Sequence, residues 1–125
     1  MKRLTSIFSI FFVFLLFVNS ELCSQPPFRI GIVLSLGGLF DRSFNDATYV
    51  GIQKLRQNKN LLIDVFEPSD IKAIENGIEY FCHQNLDLII GVGIFSNDPI
   101  RIASEKYPKQ KFVILDSVVS SPNVL

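Results

Sequence analysis

The sequence has few of the residues that most catalytic and metal sites require: one histidine and two cysteines among 125 residues. It contains no Cys/His ligand spacing, no nucleophile motif and no phosphate-binding G-x-x-x-x-G-K-[ST] loop. Gly91-Val92-Gly93 lacks the third glycine of a dinucleotide fingerprint and follows the third predicted strand, whereas the fingerprint follows the first. His83 stands alone near the end of a predicted helix. The sequence therefore predicts a protein that is not an enzyme and carries no cofactor or metal.

The chain also lacks an excess of basic charge, since it has 12 basic and 12 acidic residues. Lys2 and Arg3 both precede the first acidic residue, Glu21, so the chain without its first twenty residues has a net charge near −2. Nucleic-acid binding calls for a clustered basic face. No run of like charges suggests an interaction tail. A nucleic-acid partner is not expected.

Residues 1–20 have the pattern of a secretory signal peptide. Lys2-Arg3 form a basic start, Ile7–Val18 is apolar except for Ser9, and Val18-Asn19-Ser20 offers a cleavage site. The apolar stretch is shorter than the roughly 20 residues that a membrane-spanning helix needs. We therefore expect an exported protein, periplasmic or attached by lipid to the cell envelope.

The cysteines leave two outcomes open at the end of this leader. Cys23 follows an apolar leader, as the lipid-bearing cysteine of a bacterial lipoprotein does, but Leu22 is bulky where a small residue is expected. Cleavage after Ser20 and lipid attachment at Cys23 both remain open. Cys82 reads as a small buried hydrophobe, so no disulfide framework is expected.

A linker, residues 21–28, precedes a predicted α/β unit at residues 29–125. Its four apolar runs, of the kind found in strands buried on both faces, are Arg29–Leu36, Leu61–Phe66, Leu86–Val92 and Lys111–Leu115. Helical patterns between them start at Ser43 with Asp46 as a capping box, at Ser69 or Asp70, and at Asp98-Pro99. The expected inward faces are Ala47, Val50, Gly51 and Leu55, then Ile71, Ile74, Ile78 and Phe81, then Ile100, Ala103 and Tyr107. Alternating strands and helices predict a three-layer fold with a parallel sheet, whose fourth strand leaves its outer edge unpaired.

Ligands of open parallel sheets bind beyond the carboxyl ends of the strands, where three loops of this chain converge. The predicted ligand-binding residues are Asp41, Phe44 and Asn45 in the first loop, Gly93 in the second and Asp116 after the fourth strand. Asp116 ends a predicted buried strand, where an ionised carboxylate needs a partner. Structural interpretations stay open: Gly37-Gly38 could form a tight turn, Ser43 a helix cap and Phe44 a core aromatic.

Three stretches in these loops carry a resemblance to a known family. Gly37–Asn45 resembles the G-G-x-x-D-[KR]-S-F-N motif of the basic membrane protein family, the purine nucleoside receptor-like solute-binding lipoproteins. Asp87–Gly93 and Tyr107–Ser117 resemble its next two stretches, in the same order. The resemblance implies the first part of a periplasmic-binding-protein type I (Rossmann-like) lobe. It also implies a nucleoside ligand, a purine by preference, and an ABC permease partner in the membrane.

Carried over by motif position, the resemblance implies that Phe44 stacks on the base, Asn45 contacts it and Asp116 accepts hydrogen bonds. Ser35 departs from the family, many of whose members have aspartate there. The chain stops at Leu125, so we expect an amino-terminal fragment that binds nucleosides weakly or not at all. A surface lipoprotein with an adhesive or structural role, or a non-functional truncated receptor, is the alternative.

Overall fold

The computed structural model describes residues 25–40 and 42–125, so the leader, Cys23 and Asp41 lie outside the described part. In these residues, four strands alternate with three helices: β1 (Phe28–Val33), α1 (Phe44–Leu55), β2 (Leu61–Phe66), α2 (Ile71–Cys82), β3 (Leu88–Val92), α3 (Asn97–Lys106) and β4 (Phe112–Leu115). A single 3-10 turn, Ile94–Ser96, joins β3 to α3. Within residues 25–40 and 42–125, no helix is both long and apolar enough to cross a membrane.

The sheet is wholly parallel, with strand order β2-β1-β3-β4. The chain leaves β1 toward one side for β2 and then crosses to the other side for β3. The carboxyl ends of β1 and β3 therefore flank a topological switch point, where open α/β sheets bind ligands. The predicted order of elements is confirmed.

Two apolar clusters lie on opposite faces of the sheet. The cluster beneath α2 and α3 consists of Val33, Ile74, Ile78, Phe81, Leu86, Ile89, Ile100, Ala103 and Phe112. The cluster beneath α1 consists of Ile30, Ile32, Leu34, Ile52, Ile63 and Val92. Because side chains alternate between the faces of a strand, β1 supplies both clusters. The three-layer α/β fold is confirmed.

The buried faces of two helices differ from the expectation. In α1 three of the four positions expected to be buried, Ala47, Val50 and Leu55, are exposed, and Gly51 is only half-buried. Asn45 and Ile52, seven residues apart, face the sheet instead. Apolar periodicity missed this face because one of its two buried residues is polar. In α2, Ile71 occupies the first helical position and is exposed, although the remainder of the expected stripe is buried.

The helix starts agree with the sequence in part. Asp70 caps α2, its carboxylate accepting a hydrogen bond from the backbone N–H of Ala73 at 2.7 Å. Ser43 occupies the N-cap position of α1 but makes no side-chain capping bond to the first turn. The first helical residue of α3 is Asn97 and not the expected Pro99, because the preceding 3-10 turn continues directly into the helix.

The outer edge of β4 is not left unpaired, which corrects the expectation. The tail turns back beside β4, where Phe112 donates to the Asn123 carbonyl at 2.9 Å and Ile114 to the Leu125 carbonyl at 3.0 Å. A parallel bridge joins Phe112 to Val124. The Asn123 amide also donates to three backbone carbonyls around the end of α3, those of Ser104, Tyr107 and Gln110. This side chain fastens the tail to the domain.

Candidate ligand-binding edge of the sheet

The loops after β1, β3 and β4 meet at the carboxyl edge of the sheet. The backbone N–H of Gly93 donates to the Leu115 carbonyl at 2.9 Å, which joins the second loop to the end of β4. Gly93 also lies against Ser35, because a Cβ on the glycine would come within 2.8 Å of the serine Oγ. The structure therefore brings these three loops together at the switch point.

The close approach of these two loops requires a glycine at position 93. Its φ of 80° belongs to the left-handed region that L side chains rarely adopt, and its neighbour Ser35 occupies the space of a side chain. The glycine thus lets two loops approach closely and keeps its own backbone at the centre of the edge.

Asn45 is fully buried and holds the first loop from the inside. Its Oδ1 accepts from the backbone N–H of Ser35 at 2.9 Å, and its Nδ2 donates to the carbonyls of Ser35 and Gly38, each at 3.0 Å. These bonds use the amide to position loop backbone. Contact between Asn45 and a ligand stays a prediction.

Two carboxylates hold the same loop from the outside. Asp46 accepts hydrogen bonds from the backbone N–H groups of Phe40 at 2.7 Å and Arg42 at 3.0 Å. Glu67, the first residue after β2, accepts from the N–H of Leu39 at 3.0 Å. Both Phe40 and Arg42 have positive φ, an unfavourable conformation for side chains of this size. The carboxylates stabilise a loop shape that the backbone alone disfavours.

Phe44 is the first residue of α1, and the residue is 56% exposed at this edge. It is therefore not a core aromatic. Phe40, Ile94, Phe95 and Val118, all in the three converging loops, are exposed as well. Exposed apolar side chains concentrated in one region are typical of ligand or protein contacts.

Asp116 lies at the end of β4 but is exposed, so the expected burial of its carboxylate is wrong. The chain turns at this residue with a φ of 61°, which aspartate tolerates better than most residues. Because the strand ends at this turn, the Asp116 side chain lies in solvent and not within the sheet. Within the described residues its carboxylate has no hydrogen-bond or ion-pair partner, and contact between Asp116 and a ligand stays a prediction.

Of the predicted site residues, the structure places Phe44, Asn45, Gly93 and Asp116 at one edge, while Asp41 lies outside the described residues. Glu67 was missed by the sequence analysis. A signal existed, since Glu67 directly follows a predicted strand and the carboxyl ends of all parallel strands share one edge.

A different group of polar side chains lies at the amino edge. The Glu79 carboxylate accepts from Lys106 Nζ and from the Tyr107 hydroxyl, each at 2.5 Å, and His83 Nε2 lies 3.3 Å from it. The hydrogen bond from Lys106 is the main cause that lowers the pKa of Glu79. This cluster joins α2 to the end of α3, and His83 is exposed at the end of α2, as predicted.

A cavity of about 490 Å³ beside this cluster is the larger of two described grooves, but it opens at the amino edge. Cys82 lines it, and burial raises the pKa of that thiol to about 12. No group of three or more His, Cys, Asp or Glu side chains within residues 25–40 and 42–125 could hold a metal ion. The switch-point edge is the better candidate, since parallel sheets bind ligands there.

Comparison with known proteins gives a consistent family. A family model described as ABC transporter substrate-binding protein PnrA-like matches residues 29–125. An uncharacterized lipoprotein of Pyrococcus abyssi is 29% identical over 90 residues, which are 71% of this chain and 22% of that protein. A Lactococcus lactis protein named ABC transporter nucleoside-binding protein BmpA is 31% identical over 102 residues, 76% of this chain and 28% of that protein. The chain thus spans about a quarter of the length of these relatives.

Solved structures agree with this match. A putative lipoprotein fragment from Peptoclostridium difficile superimposes with a TM-score of 0.69 at 26% identity, covering 78% of this chain and 81% of that one. A solute-binding protein of an ABC transporter system from Aeropyrum pernix gives 0.70 at 24% identity, over 78% of this chain and 27% of that one, and shows the shared fold.

Proposed function

The chain belongs to the family of PnrA-like ABC transporter substrate-binding proteins, and we propose that its carboxyl edge forms one wall of a nucleoside-binding cleft. The observation that carries this proposal is the meeting of three loops at the switch point, with an exposed aromatic ring on one and a carboxylate on another. The ligand class is supported by the Lactococcus relative, whose name states nucleoside binding.

Phe44 would contribute affinity by stacking on the base. Its ring is exposed, and its backbone is fixed as the first residue of a helix. Stacking of a base on an aromatic side chain is worth about 1–3 kcal/mol. Because every base has a π-face, stacking favours a nucleobase over a simple sugar, and the larger ring system of a purine offers more contact area.

Asp116 would fix the orientation of the nucleoside. A carboxylate accepts hydrogen bonds only, and bonds to an ionised acceptor are roughly twice as strong as neutral ones. Nucleosides present hydroxyl and N–H donors to such a group. Asp41, in the same motif as Phe44, is proposed as a further polar contact.

We further propose that the protein is exported and delivers its ligand to an ABC permease. The leader pattern supports export, and the Pyrococcus relative is named a lipoprotein. The mass of the chain purified from cell envelopes would test this, because cleavage after Ser20 and lipid on Cys23 give different masses. Recovery of only unprocessed chain from the cytosol would contradict export.

Nuclear magnetic resonance (NMR) titration of the ¹⁵N-labelled chain tests the ligand. We expect millimolar inosine or guanosine to shift the backbone signals of Gly93, Phe44 and Asp116, with ribose alone giving much smaller shifts. Signals at the amino edge, such as Cys82, should not move. Of weak binding and no binding, we propose weak binding, so shifts confined to the amino edge, or no shifts at all, would refute the proposed site.

A matched pair of substitutions isolates the stacking contribution. Phe44→Leu should weaken binding about fivefold or more, given the energy of base stacking. Phe28→Leu is the control, because Phe28 is also exposed but begins β1 at the opposite edge. Equal losses in the two variants would show that Phe44 does not stack on the ligand. A low-micromolar affinity of the unaltered chain would contradict a cleft with one wall.

A further inference from the structure

We infer that Glu67 is a positioning residue that holds the first loop, which leads into Phe44, in the shape that the proposed ligand-binding edge requires. This inference rests on the proposed function. Glu67 is not part of the motif at residues 37–45, since it directly follows β2, far along the sequence. It reaches that motif through its carboxylate, which accepts from the N–H of Leu39 at 3.0 Å.

The base of the Glu67 side chain is fixed on both sides. The preceding residue, Phe66, ends β2 and accepts from the backbone N–H of Leu34 at 3.0 Å. The following residue, Pro68, is buried, and proline restrains its own φ and the conformation of the residue before it. Although its carboxylate is exposed, the backbone that carries Glu67 is therefore held in place on both sides.

The loop has a shape that fits this anchor. Gly38 has a φ of 67°, and the carboxylate of Glu67 lies where a Cβ on Gly38 would be. The glycine lets the carboxylate approach the loop from β2, while Asn45 and Asp46 hold it from α1. Glu67 ties the loop to the end of β2, an element separate from α1, so its loss removes one hold on that side of the loop.

The alternative role, general stability of the domain, predicts different measurements. Glu67 is exposed, and its side chain belongs to neither apolar cluster. Removing its carboxylate should therefore loosen the loop locally and leave the sheet unchanged. Glu67→Gln should behave much like the unaltered chain, since the glutamine Oε1 can still accept from the Leu39 N–H.

Amide hydrogen exchange and nucleoside titration test the inference on one set of purified chains: unaltered, Glu67→Ala, Glu67→Gln and Glu75→Ala. Glu75 is the control, a half-exposed acid on α2 whose carboxylate pairs with Lys72. In Glu67→Ala we expect exchange of the Leu39 amide to rise about tenfold and nucleoside affinity to fall about fivefold, in line with the loss of one hydrogen bond. Exchange at Ile89 in the core should not change.

The outcomes separate this inference from the proposed function. Unchanged exchange at Leu39 in Glu67→Ala would overturn the inference, and so would faster exchange with unaltered affinity. Equal effects in Glu75→Ala would overturn it as well. If the unaltered chain bound no nucleoside, the proposed ligand would be wrong, and the exchange data alone would decide whether Glu67 holds the loop.

Discussion

Two glycines at nearly the same position of two helices should respond in opposite ways to alanine. Gly51 is in the interior of α1 and Gly77 in the interior of α2, each helix having 12 residues. Alanine in a helix interior is about 0.8–1.0 kcal/mol more favourable than glycine. Both substitutions receive this gain, so any difference between them reports what the new methyl group meets.

The surroundings of the two glycines differ sharply. A Cβ on Gly51 would have no atom within 4 Å, whereas one on Gly77 would lie 2.6 Å from Cδ1 of the Phe66 ring and 2.9 Å from Cε1. Overpacking of this kind costs typically about 1–3 kcal/mol. We expect Gly51→Ala to raise the free energy of unfolding by about 1 kcal/mol, and Gly77→Ala to lower it by up to about 2 kcal/mol.

Urea unfolding followed by circular dichroism measures both values, and Gly51→Ala should also raise Tm by about 4–8 °C for a domain of this size. A double-mutant cycle identifies the cause: in a Phe66→Leu background, Gly77→Ala should lose most of its penalty, because the clashing ring is absent. The reasoning is refuted if both glycine variants gain stability equally, or if Phe66→Leu leaves the penalty of Gly77→Ala unchanged.

Three further perturbations test other parts of the domain. Asn123→Asp replaces the amide that donates to three carbonyls with a carboxylate that repels them. The free energy of unfolding in urea should fall by about 1–3 kcal/mol, more than in Asn123→Ala. Equal losses in the two variants would argue against charge repulsion. Burial raises the pKa of the Cys82 thiol to about 12, so its thiolate fraction should be about a thousandfold below that of an ordinary cysteine. In a Cys23→Ser chain, a thiol reagent should therefore label Cys82 slowly until urea is added. Fast labelling of the folded chain would contradict this. The pKa of Glu79 is lowered in the folded state, so this carboxylate stabilises the fold at neutral pH and stops doing so as the pH falls through that lowered value. Glu79→Gln should therefore lose less stability on acidification than the unaltered chain. Urea unfolding at pH 7 and pH 3 would show the difference.

Strand positions were predictable because each strand lies in a mostly apolar run, broken only by single residues such as Arg29 in β1 and Asp64 in β2. Leu61–Phe66 was placed at its observed bounds, and the others within three residues at either end. Burial on both faces requires such runs, and the sequence shows them without any knowledge of contacts. The parallel order then follows from the alternation with helices, which is why the edge that carries the candidate site could be predicted.

The helix faces were less predictable, because hydrophobic periodicity cannot identify a buried polar residue. In α1 the position that faces the sheet beside Ile52 is Asn45, whose amide satisfies loop backbone. The apolar residues Val50 and Leu55 instead face solvent. Periodicity assigns the buried side to whichever face is most apolar, so it selects the wrong side when a buried amide stands in the correct one.

The edge of β4 and the exposure of Asp116 share a physical origin that the sequence conceals. A chain segment can cover a strand edge through backbone hydrogen bonds alone, so Asn123–Leu125 pair with β4 without any apolar pattern that marks a strand. The turn that sends the chain to this edge begins at Asp116 itself, with positive φ. The same turn that closes the edge thus leaves the carboxylate in solvent beside the loop of Gly93.

A variant that straightens this turn should therefore expose the β4 edge and displace the carboxylate together. Asp116→Val is such a variant, because a β-branched residue strongly disfavours positive φ. Faster amide exchange at Phe112 and Ile114 would show the coupling, and unaltered exchange there would show that the tail pairs with β4 independently of the turn.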